Sequence, residues 1–459
     1  MTMGSRSEPG PVPGLSTAGG TGTGTAARAG GAGGRGTVSR RGFLRIGGGA
    51  AALAALPPAL TACSGQGGGS GQIRVVGVAD QQKPMDELLA EYRRTHPDDR
   101  FSTSFAPTDQ VQTVVRTQLA GGNAPDVHVL FPGSGSAMSM VELARAGLLT
   151  DLGDQKWTEG IPENFDAAYR YEGKTYLYSA GSSVIGAIYN KKVFAAAGLQ
   201  PPRTWAALLD VCAELKARGV VPIALGAQTP WVTQLITYAL VPNAVYAENA
   251  GFDREMAAGR ATFAGSGWAD AMGRYQELQR RGFFNDNPNG TTYEQQTALV
   301  AGGKAAMAVQ VSAVLSNFRA AAASPDDLGM FPFPGGDDPG RLWIPAGIVV
   351  GLGVAAHARN TAKAKELIAF LGQQENIDRW ATAVSAIPFK RGPSTRIDPV
   401  LDAFLPIIDS NRAVPFMDQS WPNPEVQPAH FVAVQELLAG KTDVRGALGR
   451  MDEAYRKKS

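Results

Sequence analysis

The sequence predicts an α/β fold in two lobes, and three observations carry that prediction. β-Branched runs closed by Gly, Pro or Asp alternate with stretches whose apolar residues recur at helical spacing. The alternation then recurs beyond residue 174. A chain of 459 residues at 44% hydrophobic content also suffices for two or three cores of ordinary size. Strands that alternate with helices stack as layers over a largely parallel sheet, because a helical crossover returns the chain to the start of the next strand.

Residues 73–79, Ile-Arg-Val-Val-Gly-Val-Ala, read as a buried strand. From Pro84 to His96 a helix places Met85, Leu88, Leu89 and Tyr92 on one face. A second strand covers 101–105, and Asp109 opens a helix carrying Val111, Val114, Val115 and Leu119. A third strand, 126–131, stops at Pro132-Gly133. Strands are expected next at 175–178, 184–190 and 222–225. Thr204 caps a helix with Trp205, Leu208, Leu209, Cys212 and Leu215 on its apolar positions, and helices follow at 231–241 and 266–281. Further strands are expected at 305–311, 328–333 and 347–355, with helices at 361–371, 375–384, 399–409, 425–439 and 443–457. Cys212 reads as a buried, inert thiol.

The charge is unevenly spread. Of 43 Lys and Arg and 41 Asp and Glu, six Arg and one Glu lie in residues 1–62, leaving 37 against 40, or −3, for residues 63–459. A body at −3 without a long basic run argues against nucleic acid as a partner. Residues 1–38, rich in Gly, Ala, Thr and Ser, have too little to bury to offset the entropy of ordering. Ser39-Arg40-Arg41-Gly42-Phe43-Leu44-Arg45 and the mild apolar run to Leu60 resemble a twin-arginine export signal. Leu60-Thr61-Ala62-Cys63 resembles a bacterial lipobox, which implies acylation of Cys63 and a mature chain held on the outer face of a membrane. Residues 64–71 are a Gly/Ser tether.

Several chemistries are missing. Two cysteines exclude a disulfide framework and a multi-Cys zinc site. His96, His128, His357 and His430 lack metal-ligand spacing, and no Gly-x-Ser-x-Gly, His-Glu-x-x-His or Walker phosphate loop occurs. No cofactor or metal is expected, and no enzyme.

A run of short motifs then carries a family resemblance. Gly121-Gly122-Asn123-Ala124-Pro125-Asp126-Val127, Leu143-Ala144-Arg145-Ala146-Gly147-Leu148-Leu149, Tyr171-Glu172-Gly173-Lys174-Thr175-Tyr176 and Ile188-Tyr189-Asn190-Lys191 occur in order. Pro202-Arg203-Thr204-Trp205, Gly303-Lys304-Ala305-Ala306-Met307 and Leu438-Ala439-Gly440-Lys441 follow. Over residues 72–457 the chain resembles the extracellular solute-binding proteins of bacterial ABC importers, in the sugar-binding group called family 1. The resemblance implies a periplasmic-binding-protein-like fold: two α/β lobes joined by three crossovers, near 179–183, 329–333 and 384–388. One lobe would then comprise 72–179 and 333–384, the other 183–329 and 388–457. It also implies capture of a small solute, a sugar and most readily an oligosaccharide, by hinge closure and its delivery to an ABC permease; a monomer is expected. Rival readings are a glycerol-phosphate ester receptor using Arg341 or Lys390, a ligand-sensing lipoprotein, and a surface carbohydrate-active enzyme.

A sugar offers C–H faces for stacking and rim hydroxyls for planar polar groups. Trp205, Trp268 and Trp380 sit on apolar helix faces and read as core. Trp231, after the strand at 222–225, reads either as a stacking platform or as core, since ligands bind at the carboxyl ends of strands in open α/β sheets. Phe416, Asp418, Gln419 and Trp421 group two aromatics, a carboxylate and an amide, with Asp418 a hydroxyl acceptor or a helix-cap partner. Gln81, Gln82 and Ser134 occupy matching strand ends, and Trp343 lies in a connecting segment. Many relatives place a stacking Trp shortly after the Gly-Lys-x-Ala-Met motif. This chain has Gln310-Val311-Ser312-Ala313 there, and Gln310 is the remaining candidate.

Overall fold

The computed structural model describes residues 71–136 and 138–457. The export-signal residues, Cys63 and the tether to residue 70 lie outside the described residues. Twelve strands follow in chain order: β1 (Gln72–Val78), β2 (Arg100–Ala106), β3 (Val127–Leu130), β4 (Arg170–Tyr171), β5 (Lys174–Thr175), β6 (Ser183–Asn190), β7 (Val221–Ile223), β8 (Ala305–Val311), β9 (Leu328–Phe331), β10 (Ile344–Gly347), β11 (Gly351–Val354) and β12 (Ala413–Val414).

The first lobe holds a sheet in the order β11-β3-β1-β2. β1 is parallel to both β2 and β3, and only β11 runs the other way. β2 carries Arg100, Ser102, Thr103 and Ser104 and is half-exposed, the composition that protects a sheet edge. The second lobe holds the order β12-β10-β6-β8-β7, with β9 also on β6.

The expectation of a largely parallel sheet fails in this second lobe. β6 runs antiparallel to β8, β9 and β10, and only β7–β8 and β10–β12 are parallel. The reason is connectivity. β6 enters straight from the first lobe with no helix to turn it round, so it points away from the interlobe cleft while β7 and β8 point toward it.

Three connections join the lobes. The first and third run side by side, with the Ser182 amide donating to the Ile387 carbonyl at 3.0 Å and the Ile387 amide to Ser182 at 2.8 Å. The middle one falls at residues 348–350, not near 329–333, and it splits the strand expected at 347–355. Residues 344–347 pair with β6 and β12, which places the stretch leading to them with the second lobe. The helix expected at 399–409 is also divided, into a 3₁₀ turn (Pro399–Leu401) and a short helix (Leu405–Asp409). Pro406, which has no amide to donate, fits the first turn of a new helix.

The family motifs have structural work. Asp126, fully buried, accepts from the amides of Arg74 (2.8 Å) and Asn360 (3.0 Å), tying β1 to the start of the helix Thr361–Leu371. Asn190 accepts from the amides of Lys192 and Val193, and Thr204 from that of Ala207, each capping a helix. Asp126→Ala is expected to cost about 2–4 kcal/mol, since it leaves two part-buried amides without their acceptor. Chemical denaturation would measure this, and an unchanged midpoint would refute the role.

Trp205, Trp268 and Trp380 are core, as is Cys212, whose thiol burial pushes up to about 12.

Candidate functional site

A cavity of about 230 Å³ opens between the lobes, floored by the connections at Ile348, Val349, Val350 and Val384. Its walls come from strand ends. In the first lobe Asp80 and Gln81 follow β1, Thr108, Asp109 and Gln112 form the opening of the helix after β2 (Thr108–Ala120), and Phe131 and Ser136 follow β3. In the second, Trp231, Gln234 and Tyr238 line one face of the helix after β7 (Pro230–Val241), at the spacing of successive turns. Phe416, Asp418 and Gln419 adjoin them, with Gln427 and Phe431 from the helix Val426–Leu438.

Five sequence candidates meet here: Trp231, Asp418, Phe416, Gln419 and Gln81. The Trp231 ring is half-buried and packs at 52° on Tyr293, 5.0 Å away. Asp418 accepts from Gln427 Nε2 at 3.1 Å, and the same amide reaches Gln234 Oε1 at 3.3 Å. Gln419 donates to the Ile348 carbonyl at 2.7 Å, which fastens this wall to the middle connection.

The other five lie elsewhere. Trp421 is 2% exposed and packs among Phe263, Trp268, Tyr238 and His430, so its neighbourhood in sequence to Asp418 does not carry its ring to the cleft. Gln82 begins a helix and faces solvent. Ser134 donates to the Trp421 carbonyl, a contact between lobes. Gln310 is fully buried inside the second lobe and donates to Gln296 at 2.7 Å. Trp343 is held away from the cleft by Asn243, whose side chain bonds its amide and its carbonyl.

Asp80, Asp109, Gln112, Ser136, Tyr238 and Gln427 were not singled out from sequence. Tyr238 was legible as the residue two helical turns beyond Trp231, and Asp80 and Ser136 as neighbours of strand-end candidates. In the sequence Asp109 stands out only as an acid in the first turn of its helix. Gln427 needed the packing of a distant helix.

The lobes also touch at the rim of the cleft. Asn317 of the second lobe donates to Asp80 at 2.9 Å. On the opposite loop pair, Gly133 and Gly135 lie so near the backbone of Gln419 and Asp418 that a Cβ on either would overlap a carbonyl oxygen.

No Lys, Arg or His lines the cavity among the described residues. Arg341 pairs with Glu248 at 3.0 Å in exposed surroundings, and Lys390 lines a different hollow. No group of His, Cys, Asp or Glu among the described residues could hold a metal ion.

Burial pushes the Asp418 carboxyl up to about 6, with the nearby Tyr238 hydroxyl opposing the rise. Burial also raises Asp80 and Asp109 on the facing wall. His430, stacked behind Tyr238, is driven by burial down to about 3 and stays neutral. Because the folded Asp418 holds its proton more tightly than the unfolded chain does, this group makes the empty protein lose stability as pH rises from about 4 to 6. A ligand whose hydroxyls donate to the carboxylate should bind more tightly over the same rise and level off above about 6, by at most tenfold per pH unit. Calorimetric titration from pH 5 to 8 checks this, and Asp418→Asn should flatten the profile.

Two α/β lobes around a polar, aromatic-walled cleft at the strand ends define a two-lobed ligand-binding protein. The model of the bacterial extracellular solute-binding protein family matches residues 78–377, and the chain belongs to that family. It is 25% identical over 156 residues to a multiple sugar-binding protein of Streptococcus mutans, covering 33% of this chain and 36% of that one. To the melibiose/raffinose/stachyose-binding protein MelE of Bacillus subtilis it is 23% identical over 312 residues, 65% of this chain and 69% of that one. Among solved structures, a chitin oligosaccharide binding protein superposes with a TM-score of 0.70 at 22% identity, over 83% of this chain and 98% of that one. Among the described residues no helix is long and apolar enough to cross a membrane.

Proposed function

We propose that this protein is the lipid-anchored substrate-binding component of an ABC importer, which captures a sugar between its lobes and hands it to a membrane permease. The composition of the cleft carries the reading: a half-buried Trp231 ring beside Asp418 and several amides, with no cation among the described lining residues. A ring stacks on a sugar face while carboxylates and amides take the vicinal hydroxyls. The names of the relatives point the same way. A phosphate ester would need cations in the cleft, so the glycerol-phosphate alternative loses its support. A cavity of about 230 Å³ is small for a binding site, which suits one or two enclosed rings, with the rest of an oligosaccharide leaving through the mouth.

Anchoring rests on Leu60-Thr61-Ala62-Cys63 behind the twin arginines. The anchored protein works as a monomer on the outer face of the membrane. Residues 72–459 screened against mono-, di- and trisaccharides, polyols and glycerol phosphodiesters should show thermal stabilisation with a sugar. A ligand at 100 times its Kd adds about 2.7 kcal/mol. A response to phosphodiesters alone would overturn the sugar assignment, and a Cys63→Ser protein still held in the membrane fraction would overturn the anchor.

A further inference from the structure

The cleft is unbalanced in charge and in hydrogen bonding. Asp80 and Asp109 on one wall and Asp418 on the other face one cavity, and no Lys, Arg or His stands among its described lining residues. Asp80 accepts from the Asn317 amide and Asp418 from the Gln427 amide, with the Tyr238 hydroxyl beside Asp418, and neither carboxylate meets a cation. Carboxylates gathered round a closed space repel one another and any anion that enters, while the low-dielectric walls strengthen attraction for a cation.

A second observation is independent of charge. Ser136 and Gln419 are 7% and 6% exposed. The Oγ of Ser136 and the Oε1 of Gln419 have no hydrogen-bond partner among the described residues, although both residues line the cavity. Buried polar atoms are normally paired, so unpaired ones on a cavity wall mark places where a ligand supplies the partner. Gln419 Oε1 can only accept, and three carboxylates already add accepting oxygens. The missing ligand must therefore be rich in donors.

We propose that the cleft sorts glycans by charge, taking an amino-bearing sugar ahead of its neutral parent and rejecting the matching uronic acid. The proposal rests on the carbohydrate reading above and narrows it. An ammonium group brings three donors and a positive charge to a space lined with acceptors, whereas a uronate adds acceptors and a like charge. Asp80, Asp109 and Asp418 are then the residues that set selectivity.

The test is calorimetric titration of residues 72–459 at pH 7 and low salt with matched trios: glucosamine, glucose and glucuronate, and galactosamine, galactose and galacturonate, each as the free sugar and as the terminal unit of a β-1,4-linked disaccharide. In the trio that binds, the amine is expected to exceed its neutral parent by about tenfold, and the uronate to fall below it by at least as much. Salt at about 0.5 M should compress the order, as charge attraction is screened. Asp109→Asn and Asp418→Asn should each lower the amine-to-uronate ratio severalfold, while circular dichroism confirms that both variants fold. A neutral sugar that binds with an amine no tighter, or with a uronate no weaker, overturns the charge preference and leaves the carbohydrate reading standing. Silence from every sugar in every trio, and from the mono-, di- and trisaccharides of the thermal screen, sinks both.

Discussion

Alanine in place of Gly135 is expected to weaken ligand binding by about 5- to 150-fold while leaving the empty protein folded. The added Cβ would overlap the Asp418 carbonyl oxygen across the cleft. That neighbour is backbone, so no side chain can swing aside. Overpacking of this sort costs about 1–3 kcal/mol, and here the strain exists only while the two walls are together. On the proposed hinge mechanism the empty protein escapes it by parting the lobes about their connections, so its unfolding midpoint should move little. Gly133 meets the Gln419 carbonyl in the same way, but its φ of +67° would strain any side chain, so Gly135 is the cleaner test. Gly273, within the helix Trp268–Arg280 and with nothing near its Cβ position, supplies the control. Gly273→Ala should stabilise the fold by about 0.5–1 kcal/mol and leave affinity alone. Full affinity in Gly135→Ala would show that this loop pair does not gate the site.

Trp231→Ala should cost a sugar ligand about 1.5–3 kcal/mol, or roughly 10- to 150-fold in Kd, through the loss of a stacking face. Trp231→Phe should recover part of it. Stability should hardly change, because the ring stands half-exposed at the start of its helix. Trp421→Ala is the opposite case. Its ring fills a buried aromatic cluster, and truncation is expected to remove about 3–5 kcal/mol of stability. Titration and denaturation of the two variants separate cleft aromatic from core aromatic. A Trp231→Ala protein that binds as well as the unaltered one would move the platform elsewhere.

That contrast shows how far sequence reasoning reached into the site. Trp231 and Trp421 each follow a Pro- or Ser-containing loop, and nothing local tells them apart. Only the packing of Phe263, Trp268 and His430 around Trp421 does so, and Phe263 and Trp268 come from a stretch far away in the chain. Gln310 fails for a related reason. A strand presents alternate residues to opposite faces, and with β8 buried along its whole length neither face reads as the cleft in the sequence.

By itself the sequence determined the α/β class, the order and nearly all the bounds of the longer helices and strands, the core tryptophans, the Thr204 cap and the family. Those features follow from local periodicity, caps and turn chemistry, which act over a few residues. Tertiary structure alone decided the direction of the strands in the second lobe, the place of the middle connection, and which polar side chains share the cleft. Asp80, Asp109, Gln112, Tyr238, Asp418 and Gln427 lie as far as 347 positions apart in the chain. Their meeting depends on how β6 leaves the first lobe and how β10 and β11 part between the two sheets, and a connection's path is set by long-range pairing that no local pattern encodes.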